Sequence, residues 1–214
     1  AFSTKPGQAA AADISGFYFN PLRMGSQDID LAIGLNLSNI GNKISYTETS
    51  TSDFIPINMR LGTSLGTEID DYNKISLALD LNKLLVPTPP IYDANNTEIV
   101  AGNDPDVAVV SGIFQSFGDA PGGFKEEMRE INYSIGSEYW YANQFAVRAG
   151  YFFEHATKGG RKFFTFGSGV KYSAFTLDFS YLVNAQTDAG VTNPLANTMR
   201  FSMIWNFGAI KQIN

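Results

Sequence analysis

The clearest indication of the fold is the stretch Met199-Arg200-Phe201-Ser202-Met203-Ile204-Trp205-Asn206-Phe207, which lies close to the end of the chain. Its odd positions carry Met, Phe, Met, Trp and Phe, whereas the even positions are polar except for Ile204. Because side chains alternate across a strand, the stretch predicts a β-strand with one apolar and one polar face. Its length suits a membrane-spanning strand, which needs about 9–11 residues and places aromatic residues at the interfaces. A strand of a soluble sandwich is usually nearer 5 or 6 residues.

Composition agrees with a strand-built membrane protein and argues against two other classes. The 214 residues are 44% hydrophobic but contain no continuous apolar run of the length that a membrane-spanning helix requires. The net charge of -6, without any basic cluster, argues against nucleic acid as a partner, because phosphate binding needs a concentrated basic surface. We therefore expect an all-β chain that contacts a lipid bilayer.

The alternation of apolar and polar residues recurs along the chain. It is clearest where Ile29, Leu31, Ile33, Leu35 and Leu37 alternate with small or polar residues, a period of two that excludes an amphipathic helix. A kink is expected at residues 39–42, with the strand resuming through residues 44–46. About nine strands are predicted, at residues 12–19, 28–38, 57–65, 74–82, 131–141, 145–153, 163–172, 175–182 and 199–207.

Short and long connections between these strands alternate, as in outer-membrane barrels with short periplasmic turns and longer outer loops. The short ones are predicted at residues 20–27, 70–73, 142–144 and 173–174, and the long ones at 85–129, 155–161 and 183–197. We therefore expect one antiparallel transmembrane β-barrel domain over residues 1–214. Bacterial barrels generally have an even number of strands. Nine strands, and a start without a signal-like segment, predict that N-terminal strands are missing from this chain.

The loop at residues 85–129, expected to be extracellular, is the candidate functional segment, since loops longer than about 15 residues are usually functional. Prolines at its start favour a rigid exit from the strand, and Asp106 is expected to cap a helix over residues 107–117. Its apolar residues must either cover the barrel mouth or meet a partner. The candidate partner-binding residues are Pro87, Pro89, Pro90, Val107, Val110, Ile113, Phe114 and Phe117.

Three segments, NLSNIGNKISY at 36–46, DFIPINMRLGT at 53–63 and above all DYNKISLALDLNKLLVPTPP at 71–90, resemble the PorV family of type IX secretion. These barrels are related to long-chain fatty-acid transporters, and the part from Tyr133 through NPLANTMRFSMIWNFG at 193–208 is similar to the family's C-terminal hairpins. The resemblance implies a fourteen-stranded barrel in the bacterial outer membrane, of which this chain is the C-terminal portion.

The resemblance also implies a role without catalysis. Proteins of this family bind the translocon barrel, receive secreted cargo with a C-terminal signal domain, and carry it to the cell-surface attachment complex. The alternative, suggested by the distant relatives, is an outer-membrane transporter of a hydrophobic small molecule such as a fatty acid.

Catalytic, cofactor and metal sites are not expected. A lipid hydrolase, the third option, would have to use His155, the one histidine in the sequence, and no G-x-S-x-G motif accompanies it. Asp104, Asp106 and Asp119 lack the spacing of a calcium loop. Charged residues on the polar strand faces, including Arg148 and Asp178, are expected to pack in the barrel lumen.

Overall fold

The computed structural model describes residues 6–45, 52–185 and 197–207. Within these residues, nine strands form one sheet in which the neighbours follow chain order, and the first and last of the nine lie at its two ends. This confirms the all-β class and the predicted number of long strands. These strands are β1 (Ala11–Met24), β2 (Gln27–Gly41), β3 (Asn58–Glu68), β4 (Asn73–Leu84), β7 (Asn132–Tyr141), β8 (Phe145–Phe153), β9 (Lys162–Tyr172), β10 (Phe175–Asn184) and β11 (Met199–Trp205).

Between β4 and β7 lies a segment of residues 85–131, called the excursion below. It contains two short strands, β5 (Ile91–Tyr92) and β6 (Ile99–Ala101), and two short helices, α1 (Val109–Gln115) and α2 (Phe124–Glu127). The antiparallel pair of β5 and β6 was not predicted, because two or three residues are too few to show an alternation. No helix in the described part of the chain is long and apolar enough to cross a membrane.

The first hairpin differs from its prediction. Residues 20–27 were expected to turn, but β1 runs to Met24 and the turn is confined to Gly25 and Ser26. Pro21 is tolerated inside β1 because this strand lies at the end of the sheet, where a missing N–H donor need not break a ladder. Gly25 adopts a φ of 66°, the left-handed conformation that glycine accepts without strain.

The end of β2 is also regular for longer than predicted. The strand runs through Asn39, whose φ of 59° marks the expected irregularity, and its N–H donates to the Asp13 carboxylate at 2.8 Å. The predicted resumption of the strand is reduced to one bridge between Ile44 and Asp53. Tyr46 lies outside the described residues.

The other hairpins agree with the prediction. Asp70 closes the turn between β3 and β4, where its Oδ1 accepts the N–H groups of Tyr72 and Asn73, each at 2.9 Å. These hydrogen bonds to the carboxylate lower the pKa of Asp70, with Tyr72 as the largest cause. Residues 142–144 and 173–174 connect β7 to β8 and β9 to β10, as expected.

The apolar face of the sheet is exposed, whereas small and polar residues line the other face. The register from β8 to β11 places apolar residues opposite one another across the strands, because Phe145 pairs with Val170 and Leu177 with both Val170 and Met203. These apolar side chains are exposed to the surroundings rather than buried in a core. Such a pattern is typical of a wall that meets lipid.

The described contacts cluster into two compact units, which share the strands β1 to β4. Of the described residues, one unit comprises 6–16, 34–45, 52–61 and 81–132, and therefore contains the excursion. The other comprises 17–33, 62–80, 133–185 and 197–207. The first unit holds the two largest apolar side chains that are fully buried among the described residues, Ile57 and Leu85, and the N–H of Leu85 donates to the Ile57 carbonyl at 2.7 Å.

Candidate functional site

The excursion is fixed to the apolar side of β4, not to its polar side. Leu79 and Leu81 belong to the apolar face of this strand, and Lys83 follows two residues later in the same alternation. Lys83 is only 4% exposed because it lies beneath residues of the excursion. Its ammonium group also lies 5.9 Å from the centre of the Phe117 ring. Lys83, although it lies in a row of apolar residues, is therefore the residue through which the excursion is attached to β4.

A buried ionic cluster forms around Lys83. Its Nζ contacts Glu130 Oε2 at 2.7 Å and Glu127 Oε2 at 3.2 Å. Glu127 Oε1 accepts the N–H of Ala120 at 2.7 Å, and Thr88 Oγ1 donates to Glu130 Oε1 at 2.8 Å. Charges buried in this way require partners, because their desolvation is costly. The cluster therefore holds the beginning, middle and end of the excursion together.

Asp119 is the third carboxylate of this region, and it is 1% exposed. The backbone N–H of Thr88 donates to its Oδ2 at 3.0 Å, whereas its Oδ1 is buried and has no hydrogen-bond partner in the structure. Burial raises the pKa of Asp119, and the nearby Glu127 and Glu130 carboxylates add to the rise against the Thr88 hydrogen bonds. Among the described residues, no group of three or more His, Cys, Asp or Glu side chains is arranged to hold a metal.

Helix α1 packs through its glycine. A Cβ at Gly112 would lie 2.6 Å from the Phe54 ring and 3.2 Å from Pro87 Cδ, so the helix can approach this closely only without a side chain there. Pro87 is accordingly buried, and Ser116, one turn after Gly112, is fully buried. Among the predicted partner-binding residues, Pro87 is thus a packing residue and is not available to a partner in this structure.

The opposite side of α1 is exposed and apolar. Val110, Phe114 and Phe117 follow a spacing of four and three residues, which places them on one stripe. Phe114 is 73% exposed, and Phe124 at the start of α2 is 79% exposed. We call Val110, Phe114, Phe117 and Phe124 the aromatic patch.

The remaining predicted residues of this segment lie beside the patch or are partly covered. Pro89 is exposed, and Pro90, Val107 and Ile113 are half-buried. Phe124 was missed at the sequence level because it lies outside any periodic segment, directly after Gly122 and Gly123. All eight predicted partner-binding residues thus lie in the described part of the chain. Some of them are exposed, and the others are buried or half-buried.

Asp106 does not cap α1, which corrects the prediction. The helix begins two residues later than expected, with Ala108 at the N-cap and no side-chain cap. The Asp106 carboxylate instead pairs with Lys43 Nζ at 2.9 Å, and its N–H donates to Asp104 Oδ1. Two intervening residues place Asp106 too far from the first turn, where the cap must reach the N–H of the second or third helical residue.

The polar face of the second unit carries a separate charge network. Arg148 on β8 donates from Nη1 to Asp178 on β10 at 2.6 Å and from Nε to Glu138 on β7. A Cβ at Gly169 on β9 would lie 2.6 Å from Asp178 Oδ1. Because glycine has no side chain, there is space at this position for Arg148 and Asp178 to contact each other. A cavity of about 700 Å³ on this face is lined by the three charged residues and by aromatic side chains such as Phe152.

His155 has a structural role in this fold. Its Nδ1 accepts the N–H of Thr157 at 3.2 Å and thereby caps the short 3₁₀ helix Ala156–Lys158. A neutral imidazole that accepts at Nδ1 holds its proton on Nε2. The geometry around His155 therefore explains its position without a hydrolase site.

Comparison with known proteins identifies the family to which the chain is similar. Residues 3–91 match the family model described as type IX secretion system protein PorV. The match includes the segments at 36–46 and 53–63 and ends just after Pro90, before α1, and it covers less than half of the 214 residues. The resemblance drawn from the sequence is confirmed over these residues. A search among curated proteins finds no match to the chain.

Proposed function

We propose, from this family match, that the chain forms part of a type IX secretion barrel in the bacterial outer membrane and carries out no catalysis itself. In this role it binds the translocon barrel, receives cargo through the cargo's C-terminal signal domain and delivers it to the cell-surface attachment complex. The family description supports participation in type IX secretion. The exposed apolar face of the sheet supports a position in the bilayer.

The single observation that supports a docking role is the aromatic patch. Helix α2 is held by a buried ionic cluster on the apolar side of β4 and α1 packs closely through Gly112, yet the two helices present Phe114 and Phe124 outward. A loop that only closed the lumen would bury these rings against the polar face. Patches of exposed aromatic residues on a rigid support are typical of protein interaction sites.

The position of the patch also favours a particular direction of approach. Since α2 is attached to the apolar side of β4 through Lys83, a partner reaching the patch would come from the side of the wall. A second barrel in the same membrane approaches from that side, whereas a soluble cargo domain approaches from above. We therefore assign the patch to the translocon contact and not to the cargo contact.

Charge substitution within the patch tests this assignment. Phe114→Asp, in the full-length protein in its native cell, places a carboxylate at the centre of the patch without disturbing a buried contact. Ser111→Asp is the matched control, because it adds the same charge to an exposed position of the same helix without removing an aromatic ring. We expect Phe114→Asp to reduce both cargo secretion and recovery of the translocon with the purified protein, while Ser111→Asp changes neither. Normal secretion by Phe114→Asp, at a normal level of the protein, would refute the assignment.

A further inference from the structure

A narrow apolar crevice lies beneath the helical segment, within the first unit. It has a volume of about 240 Å³. One side of the crevice is formed by Met59 and Leu61 of β3 and Leu81 of β4. The other side is formed by Phe117, Phe124 and Met128. Small-molecule sites usually enclose about 300–1,000 Å³, so this crevice is too small for most of them. Its size and lining suit a single hydrocarbon chain.

The apolar strand face that lines the crevice continues beyond it along both strands. On β3 the face of Leu61 continues two and four residues further with Thr63 and Leu65, and on β4 the face of Leu81 continues with Leu79 and Leu77. The four leucines at 61, 65, 77 and 79 are exposed. If this face meets the bilayer, as the proposed function requires, hydrocarbon chains lie directly against the entrance.

The charged residues that line the crevice indicate which kind of hydrocarbon chain it can hold. Lys83 and Glu127 are among the lining residues, and the Lys83 ammonium group already contacts the Glu127 and Glu130 carboxylates. Lys83 is the cation among the residues that line the crevice, and its ammonium group therefore contacts two carboxylates before any ligand enters. A free fatty acid would bring a third carboxylate to this ammonium group, whereas the chain of an esterified lipid brings none.

We infer that this crevice holds one acyl chain of an esterified bilayer lipid, an inference that rests on the proposed position in the membrane. The chain enters from the apolar face between Leu61 and Leu81 and contacts Phe117, Phe124 and Met128 above. The headgroup stays outside. Such a lipid fills the space beneath the aromatic patch and thereby supports the helices that carry it.

Photolabelling tests the inference. The full-length protein is reconstituted in phosphatidylethanolamine vesicles that contain a trace of the same lipid with a diazirine at the end of one acyl chain. After irradiation, mass spectrometry measures labelling of the peptide that contains Phe117, Phe124 and Met128, and of the wall peptide that contains Leu77 and Leu79. Labelling of the wall peptide reports insertion into the bilayer, which the proposed function requires independently.

Two variants distinguish the crevice from the general lipid surface. Leu61→Trp narrows the crevice while keeping its lining apolar, and Leu65→Trp makes the same change on the same strand face, four residues away and outside the crevice. The larger Trp ring at position 61 would exclude about two methylene groups of the acyl chain from the crevice. This exclusion corresponds to about a tenfold loss of lipid binding there. We expect about tenfold weaker labelling of the excursion peptide in Leu61→Trp and unchanged labelling in Leu65→Trp.

The other outcomes have separate meanings. Equal labelling of the excursion peptide in both variants would overturn the acyl-chain site, even where the wall peptide is labelled and the membrane position is confirmed. Stronger labelling of the same peptide by a free photoactivatable fatty acid would also overturn it, in favour of a fatty-acid site. Absence of label from the wall peptide would refute the membrane position itself.

Discussion

Replacing Lys83 with methionine should release the helical segment without unfolding the sheet. The change keeps an unbranched apolar stem of similar length but removes the cation that contacts Glu127 and Glu130. Both carboxylates are nearly buried, with side chains 8% and 13% exposed. Because both carboxylates lose the Lys83 ammonium group in a region that also contains Asp119, opening of the excursion, which returns them to solvent, becomes more favourable.

The size of the effect follows from this burial. Removing one partner of a buried ion pair costs about 3–5 kcal/mol, since an uncompensated charge remains. A change of 1.4 kcal/mol alters an equilibrium about tenfold. The population of the opened excursion should therefore rise by roughly a hundredfold to a few thousandfold. The ladders between β7 and β11 do not depend on Lys83 and should remain protected.

Amide hydrogen exchange of the full-length protein in lipid nanodiscs measures this opening. The informative amides are Ala120, which donates to Glu127 Oε1, and Met128, which donates to the Phe124 carbonyl at 3.1 Å. Lys74→Met is the matched control, because Lys74 lies on the same strand in a largely exposed pair with Glu68. An exposed pair contributes only about 0–1 kcal/mol. If both variants lose protection of the excursion to the same small extent, the ionic cluster does not hold the segment and the reasoning is wrong.

Three other changes test separate parts of the structure. The pKa of Asp119 is raised in the folded chain, so its contribution to stability is present below its ordinary value near pH 4 and is lost as pH rises through the folded value. Hydrogen exchange of the Ala120 amide measures this effect. At pH 7, Asp119→Asn should protect this amide more than the unmodified protein does, and the difference between the two proteins should be smaller at pH 4. A variant that is less protected at pH 7 would contradict this sign. Gly112→Ala should loosen α1 by about 1–3 kcal/mol through contact with Phe54, which limited proteolysis of the excursion measures against Gly118→Ala, whose Cβ would meet nothing within 4 Å. Equal cleavage rates would argue against the close approach. Arg148→Met should weaken the sheet by about 1–3 kcal/mol, because two half-buried carboxylates lose their shared donor. Urea unfolding monitors this loss against Lys171→Met at an exposed position, and coincident midpoints would show that the network is not stabilising.

The strands could be predicted from the sequence because their information is local. A period of two in apolar residues is visible within ten positions, and it located all nine long strands and the turn at Asp70. Pro21 misled the prediction, because proline marks a turn in most contexts and is accepted here by a strand at the end of the sheet. Asp106 misled it in the same way, because an acidic residue before an apolar run resembles a cap even when a distant lysine binds it.

The attachment of the excursion could not be predicted, since it depends on residues far apart in the chain. Lys83 meets Glu127 and Glu130 across 44 and 47 positions, and no local pattern encodes such a contact. One signal was present in the sequence. Lys83 continues the row of Leu79 and Leu81, and a lysine on an apolar face requires a partner. That row would have indicated which side of β4 the excursion covers.

Site-specific photocrosslinking at Phe114 would identify the protein that contacts the aromatic patch. The full-length protein carries a benzophenone amino acid at this position in growing cells, and the same group at Ser111 serves as the control. We expect an adduct between Phe114 and the much larger translocon barrel, with little or none from Ser111. An adduct with secreted cargo alone, or with lipid and no protein, would contradict the assignment of the aromatic patch to the translocon.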